Sequence, residues 1–305
     1  MKASVLILTL NPAVDYLLWT DKSARPSWSV SAGGKGINVG RALKRLGVPG
    51  FQLGFSGGAM HKEFLALLKK ESLPGRFIQT ETPVRVNITL HASKGRTRRF
   101  LGPAVVPSQT EKIKFMRAYG VLLKKARLVL VCGSLPPGME TLLTEVMGRA
   151  KKAGVPVWVD TSGRALKTAL RNRPALVKPN LRELEELSGK ALPGKAARIK
   201  ALRGLSRRGI SFVALTLGAR GAMLCKGSEI WYANAPGIRE VSELGCGDAF
   251  LAGLVLSYLK KDSPPQMLSR ATALGAASAL TPVPGSFHLS RFSSLKSKIH
   301  VTQLI

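Results

Sequence analysis

"ARLVLVCGSLPPGMETLLTEVMGRAKKAGVPVWVD", Ala126 to Asp160, is the stretch whose reading decides the fold. Two short apolar, β-rich runs, "ARLVLVCG" and "GVPVWVD", flank the amphipathic segment "METLLTEVMGRAKKAG". Gly154 stands where a helix is closed by a left-handed residue. Strand, helix and strand in this order form a βαβ unit, which makes the two strands parallel. The pattern continues downstream. "PALVKPN" (174–180) and "ISFVALTLG" (210–218) read as strands, and "GKAARIKALRGLSRRG" (194–209) reads as a helix ended by Gly209. The expectation is an α/β protein with a mostly parallel sheet, whose ligands bind beyond the carboxyl ends of its strands.

Working outward, Val5 to Leu10 reads as a buried first strand and not as a signal peptide, because the apolar run is too short. Two segments, about 14–31 and 84–101, break the strand–helix alternation. The second, "VRVNITLHASKGRTRRFL", alternates polar and apolar residues as a strand pair does. Together they predict a small β sheet covering a site. The tail from about Phe287 reads as polar and poorly ordered.

With 305 residues, 45% hydrophobic and 21% charged, the chain can bury a substantial core, and it is read as a single domain, 1–305. No run approaches the roughly 20 apolar residues that span a bilayer, so no membrane partner and a cytoplasmic location are expected. Cys132, Cys225 and Cys246 are odd in number and widely spaced, which fits neither a disulfide framework nor a zinc site. His61, His91, His288 and His300 show no metal-ligand spacing. The net charge is +30, from 47 Lys+Arg against 17 Asp+Glu, a field that attracts phosphorylated metabolites, nucleotides or nucleic acid. The basic residues are dispersed and aromatics make up only 6%, so a basic solvated surface is preferred to nucleic-acid binding.

Five stretches can carry chemistry, and each has a plain structural reading beside it. "SAGGKGINVGRALKRLG" (31–47) opens a helix just after Gly33-Gly34-Lys35-Gly36, where bare backbone and a cation suit an anion. Its spacing is not that of a Walker A loop, and such an entry is commonly just a turn. "VCGSLPPGM" (131–139) leads a strand into a proline-rich turn, and is equally a rigid connection. In "VKPNLRELEEL" (177–187), Asn180 and Glu183 lie one helical turn apart, as groups around a hydrated Mg²⁺ or as a capping box. "TLGARGAML" (216–224) is a strand–turn–strand that wraps a nucleotide or forms only a hairpin. In "SELGCGDAFLAGLVLSYL" (242–259), Asp248 stands at a glycine-rich helix mouth suited to anions, either as a cap or as a base.

The order of these stretches resembles the PfkB (ribokinase-like) family of carbohydrate kinases. The likeness is nearest to the phosphosugar branch of 1-phosphofructokinases and tagatose-6-phosphate kinases. It runs from "TLNPAVD" (9–15) through "AGGKGINV", "VRVN", "GSLPPG", "VDTSG", "KPNLRELEEL", "TLGARGA" and "GCGDAFLAG" to "GAASALTPVPG" (275–285). The resemblance implies a three-layer α/β/α core with a small β lid, and a homodimer through the lid. It implies ATP- and Mg²⁺-dependent phosphorylation of a hydroxyl on a ketohexose monophosphate, with fructose 1-phosphate first. Tagatose 6-phosphate is the nearest alternative, and a non-catalytic sugar-phosphate-binding relative is the rival from another class. On matching positions, Asp248 becomes the catalytic base, and Gly245, Cys246 and Gly247 the anion hole. Asp15, Gly34, Lys35 and Asn38 hold the sugar, with Arg85 and Asn87 near its existing phosphate. Lys178, Asn180, Thr216, Leu217, Gly218, Ala219, Arg220, Gly221 and Gly247 belong to the nucleotide, and Asn180 with Glu183 organises Mg²⁺ through water.

Four departures stand out. Cys246 replaces the usual alanine, and Glu243 takes a Thr/Ser position, where a carboxylate repels a triphosphate unless it turns away or binds a cation. Ser242 replaces an acid or amide, which speaks against a monovalent-cation site. Arg98 and Arg99 make a commonly acidic part of the lid cationic.

Overall fold

The computed structural model describes residues 5–20, 27–92 and 97–304; residues 21–26 and 93–96 of the two irregular segments lie outside the described residues. Along the chain come β1 (Val5–Thr9), β2 (Ala13–Thr20), β3 (Ser27–Gly33), α1 (Lys35–Arg45), β4 (Gly50–Gly57), α2 (His61–Lys70) and β5 (Gly75–Thr80). Next are β6 (Arg85–Ala92), β7 (Arg98–Leu101), α3 (Gln109–Leu123), β8 (Leu128–Cys132), α4 (Glu140–Lys152), β9 (Val157–Asp160) and α5 (Gly163–Arg171). Then follow β10 (Leu176–Val177), α6 (Leu181–Ser188), α7 (Lys195–Ser206), β11 (Phe212–Thr216), β12 (Ala222–Lys226) and β13 (Glu229–Ala233). The chain ends with α8 (Cys246–Leu259), α9 (Pro264–Ala279), α10 (Leu289–Lys296) and β14 (Val301–Gln303).

Among the described residues, ten strands form one sheet in the order β14-β13-β12-β11-β10-β9-β8-β1-β4-β5. From β5 to β11 every pairing is parallel, and β12 to β14 are added antiparallel. Alternation along the strands divides the core. Val5, Ile7, Leu128 and Leu130 face α1, α8, α9 and α10, whereas Leu6, Leu8, Val129 and Val131 face α3 to α7. Helices on both sides explain why β1 and β8 are buried at every position and apolar at all but Thr9. α8 packs against both α1 and α9, so it is apolar around its whole circumference.

The two irregular segments supply a second sheet, β3-β2-β6-β7. Val14 and Ala32 anchor one face of it on Ile37, Phe64 and Leu68. Further out that face bears Trp28 and Phe100, 67% and 59% exposed. The other face carries Asp15, Arg85, Asn87 and Arg99, aligned by the pairings Ala13↔Arg85, Asp15↔Asn87 and Thr89↔Arg99.

Two expectations are corrected. The C-terminal tail is ordered: Phe287, Phe292, Leu295 and Ile299 are buried, and β14 pairs with β13. Their apolar contacts hold it although its remaining residues are polar. Second, α1 begins at Lys35 with Gly34 as its cap, so Lys35 lies in the first turn and not before it.

Candidate active site

Asp248 sits in the first turn of α8, 5% exposed. Gly245 caps this helix at a φ of 78°, and a Cβ there would lie 2.4 Å from the Gly285 nitrogen. Only glycine fits both the backbone angle and the space. The Asp248 side chain makes no capping bond, which removes the plain reading of this carboxylate. It instead accepts a 2.7 Å hydrogen bond from Asn38 Nδ2 on α1. Burial pushes its pKa up to about 6, and the charge of Asp160 adds to this; Lys35, the Asn38 bond and Lys178 pull the other way. Of the three anion-hole candidates, the Cys246 N–H already makes a long 3.4 Å bond to the Glu243 carbonyl. The Cys246 thiol is pushed up to about 12, first by burial and then by Asp248, Glu240 and Glu243, so it is no nucleophile near neutral pH.

A group unassigned at the level of sequence, Asp160, joins two expected residues. It is fully buried at the carboxyl end of β9, accepts from Lys35 Nζ at 2.9 Å and lies 3.1 Å from Lys178 Nζ. Burial opposes its charge, but Lys178 and Lys35 hold its pKa below the ordinary value. Burial also works against the Lys35 ammonium, while Asp160, Asp248 and Glu183 more than offset it and keep the pKa high. Lys178 is 4% exposed, and its Nζ lies 3.3 Å from where a Gly247 Cβ would be. Two ammonium groups therefore reach the mouth of α8. Lys35, expected with the sugar-binding set, is paired with this cluster and not with Asp15. The signal for Asp160 was its place at the end of "VPVWVD", where α/β sheets bind ligands.

Of the remaining expected sugar-side residues, Asp15, Arg85 and Asn87 share a face of the small sheet, whereas Gly34 and Asn38 stand at the start of α1. Asn87 Nδ2 donates to Asp15 Oδ1 at 2.7 Å, and Arg85 Nη2 donates to the Asn11 carbonyl at 3.2 Å. Burial raises the Asp15 pKa against the Asn87 bond and the charges of Arg85, Arg99 and Arg41. A Cβ at Gly33 would lie 2.0 Å from Asp15 Oδ2, so the "GG" before Lys35 makes room for this carboxylate. Gly34, at a φ of 113°, gives its carbonyl to the Asn38 N–H. Arg85 Nε and Asn87 Oδ1 are buried without a protein partner. Buried polar atoms cost free energy until bonded, so these two retain the capacity to bond a polar group. Asn11, also not singled out beforehand, ties this corner to Ser134 of "GSLPPG" at 2.9 Å.

On the opposite side, Asn180 and Glu183 form a complete capping box, with bonds of 2.9 and 2.8 Å. The second Glu183 oxygen lies 3.9 Å from Lys35 Nζ. Thr216 to Gly221 link β11 to β12 through a single 3-10 turn, Gly218–Arg220. Leu217, Ala219 and Arg220 line a cavity of about 320 Å³ together with Lys195, Arg198, Met223, Tyr232, Asn234 and Ala235. Thr216, Gly218 and Gly221 shape the turn without lining it; Thr216 bridges to Asn180. Glu243 is exposed, and Ser242 Oγ accepts from the Leu244 N–H.

An open, mostly parallel sheet flanked by helices, with a small sheet above its carboxyl ends, is the architecture of ribokinase-like sugar kinases. The chain belongs to the pfkB family of carbohydrate kinases, whose description matches residues 6–287. It is 33% identical to 1-phosphofructokinase of Escherichia coli K12 over 285 residues, 90% of this chain and 91% of that protein. Escherichia coli phosphofructokinase-2 in complex with potassium superposes with a TM-score of 0.89 at 26% identity, over 97% of this chain and 99% of the other. Its tetrameric inhibited form gives 0.87 at 27% identity over the same shares. A Thermotoga maritima protein described as a possible 1-phosphofructokinase gives 0.87 at 26% identity, over 99% and 100% of the two chains. The protein is therefore a sugar kinase, a phosphotransferase with an alcohol group as acceptor. Among the described residues, no helix is long and apolar enough to cross a membrane.

Proposed function

We propose that this kinase transfers the terminal phosphoryl group of ATP to a hydroxyl of a ketohexose monophosphate, with fructose 1-phosphate the first substrate to test. The observation that carries the reading is the placement of Asp248. It is a buried carboxylate with a pKa near 6, at a helix mouth, beside two ammonium groups. A base poised just below neutral pH is deprotonated in use, yet basic enough to take a hydroxyl proton as the oxygen attacks phosphorus. The resemblance to 1-phosphofructokinase favours the phosphorylated acceptor. So do Arg85 and Arg99 on the sheet face that carries Asp15 and Asn87, since guanidinium groups grip phosphate oxygens bidentately.

In this reading Asp15 orients sugar hydroxyls, with Gly34 and Asn38 beneath it, and Asn87 stands with Arg85 near the sugar's existing phosphate. The Asp248 carboxylate accepts the proton of the attacking hydroxyl. The Gly245 and Gly247 amides, with Lys178 and Lys35, meet the charge that spreads over the migrating phosphoryl oxygens. The nucleotide lies along the cavity lined by Leu217, Ala219 and Arg220. The donor set fits a hydrated Mg²⁺, because Glu183 keeps one carboxylate oxygen outside its capping box and Asn180 adjoins it. When bound, the ion would neutralise phosphate charge. The exposed apolar residues Trp28 and Phe100 on the small sheet's other face favour a homodimer through that sheet.

The test is an ADP-release assay over sugar monophosphates, with fructose 1-phosphate and tagatose 6-phosphate compared directly. Fructose 1-phosphate is expected to give the highest kcat/KM, and Asp248→Asn to lower kcat by at least about a thousandfold with ATP affinity kept. Near-normal kcat in that variant would refute the base assignment.

A further inference from the structure

Among the described residues, Asn38 is the side chain that hydrogen-bonds the Asp248 carboxylate, and its amide must present nitrogen, not oxygen, to stabilise the charged form. An amide side chain can flip, and nothing in Asn38 itself selects the orientation. The selection comes from Arg41, one turn further along α1. Its Nη1 donates to Asn38 Oδ1 at 2.9 Å, and a guanidinium can only donate. With Oδ1 held by Arg41, Nδ2 is left facing Asp248. Arg41 is itself fixed from all sides. Its Nη2 bonds Glu71 Oε1 at 2.8 Å and the Ala32 carbonyl at 2.9 Å, and its Nη1 bonds the Pro284 carbonyl at 2.6 Å. Ala32 belongs to β3 of the small sheet, and Pro284 precedes the Gly285 that presses on Gly245. A single 11%-exposed side chain thus joins the small sheet, α1 and the loop under the α8 mouth.

We propose that Arg41, held by Glu71, is a positioning residue for phosphoryl transfer: it locks the Asn38 amide so that the base receives a hydrogen bond and not a lone pair. The inference rests on Asp248 being the base. If Arg41 is lost, Asn38 is free to turn its oxygen toward the carboxylate, which favours the protonated acid and makes the base available only at higher pH. The other charged and titratable groups facing Asp248 are Asp160 at the end of β9, Lys178 after β10, Lys35 on α1, Cys132 on β8 and Cys246 on α8 itself. None of them touches Arg41 in the bonds described, so its removal leaves their pairing in place.

The experiment is the pH profile of kcat for the full-length enzyme and for Arg41→Met, Asn38→Ala and the double variant. Arg41→Met is expected to move the acid limb up by about one pKa unit, about a tenfold loss of kcat well below pH 6, with KM for the sugar phosphate within about twofold. Asn38→Ala should shift the limb the same way, and Arg41→Met should add nothing in that background, because Arg41 acts through Asn38. Arg41→Lys keeps the charge without the fork and should shift the limb similarly; it is also the variant to use if Arg41→Met does not fold. A lowered melting temperature with an unmoved limb overturns the proposal, as does a further shift in the Asn38→Ala background. Asp248→Asn separates this from the parent reading: an active Asp248→Asn enzyme refutes the base, whereas an inactive one with no Arg41 effect refutes only the positioning role.

Discussion

Asp248→Asn is expected to stabilise the protein that it inactivates. The folded-state pKa of Asp248 is raised from 3.8 to about 6, chiefly because ionisation is costly in its buried setting. A raised carboxyl pKa means that the native state holds the proton more tightly than the unfolded chain does. The group then weighs against folding increasingly as pH rises from the unfolded value through the folded one. The gap of about two units corresponds to about 3 kcal/mol at pH 8, falling to about 1 kcal/mol at pH 4.5. Asparagine keeps the shape and, with its oxygen toward Asn38 Nδ2, keeps the 2.7 Å hydrogen bond, but it has no charge to desolvate. Paired urea titrations of wild type and variant across this pH range measure the difference. The variant should be the more stable one throughout, with the margin widening toward alkaline pH. A variant less stable at pH 8, or a margin independent of pH, would refute the claim that this carboxylate is held charged at a cost. The same sign holds for Asp15, whose pKa is also raised by burial.

Arg85→Ala should raise KM about tenfold or more for a sugar monophosphate and leave a neutral sugar almost unaffected, since an interaction with a phosphate is what is removed; steady-state kinetics with matched acceptors decide it, and equal losses would end the phosphosugar argument. Trp28→Glu should convert a dimer to a monomer in sedimentation at micromolar concentration without lowering the melting temperature by more than a few degrees, because Trp28 is 67% exposed in the single chain. A wild-type monomer, or an unaltered dimer in the variant, would remove the lid-to-lid reading.

The strand–helix alternation around Ala126–Asp160 was legible because burial on both faces of a parallel strand leaves an uninterrupted apolar run, as in β1 and β8. The small sheet was legible from the absence of helical period in two segments. The order of the tail is not legible in the sequence because Phe287, Phe292, Leu295 and Ile299 are scattered among serines and lysines, and only their packing in the cluster with α9 gives them a common face. At the site, Asp248 and the Asp15–Asn87–Arg85 group were visible through motif order, whereas Asp160 and Arg41 were not. Their meaning lies in partners 125 and 243 positions away, Lys35 and Pro284, and no local spacing carries such a pairing.

Asp160 shows why the charge balance of the site is a joint property of its neighbours. Alone it would raise the Asp248 pKa further; alone, Lys35 and Lys178 would depress it. Bound to both lysines, Asp160 fixes the two ammonium groups within reach of the α8 mouth and cancels one of their charges. Within this trio one net positive charge remains, with Glu183 3.9 Å from Lys35 Nζ drawing on it further, and under the proposed assignment that balance meets a phosphoryl group while leaving Asp248 basic. A single lysine without Asp160 would supply the same net charge, but on a flexible four-carbon stem whose position nothing would hold.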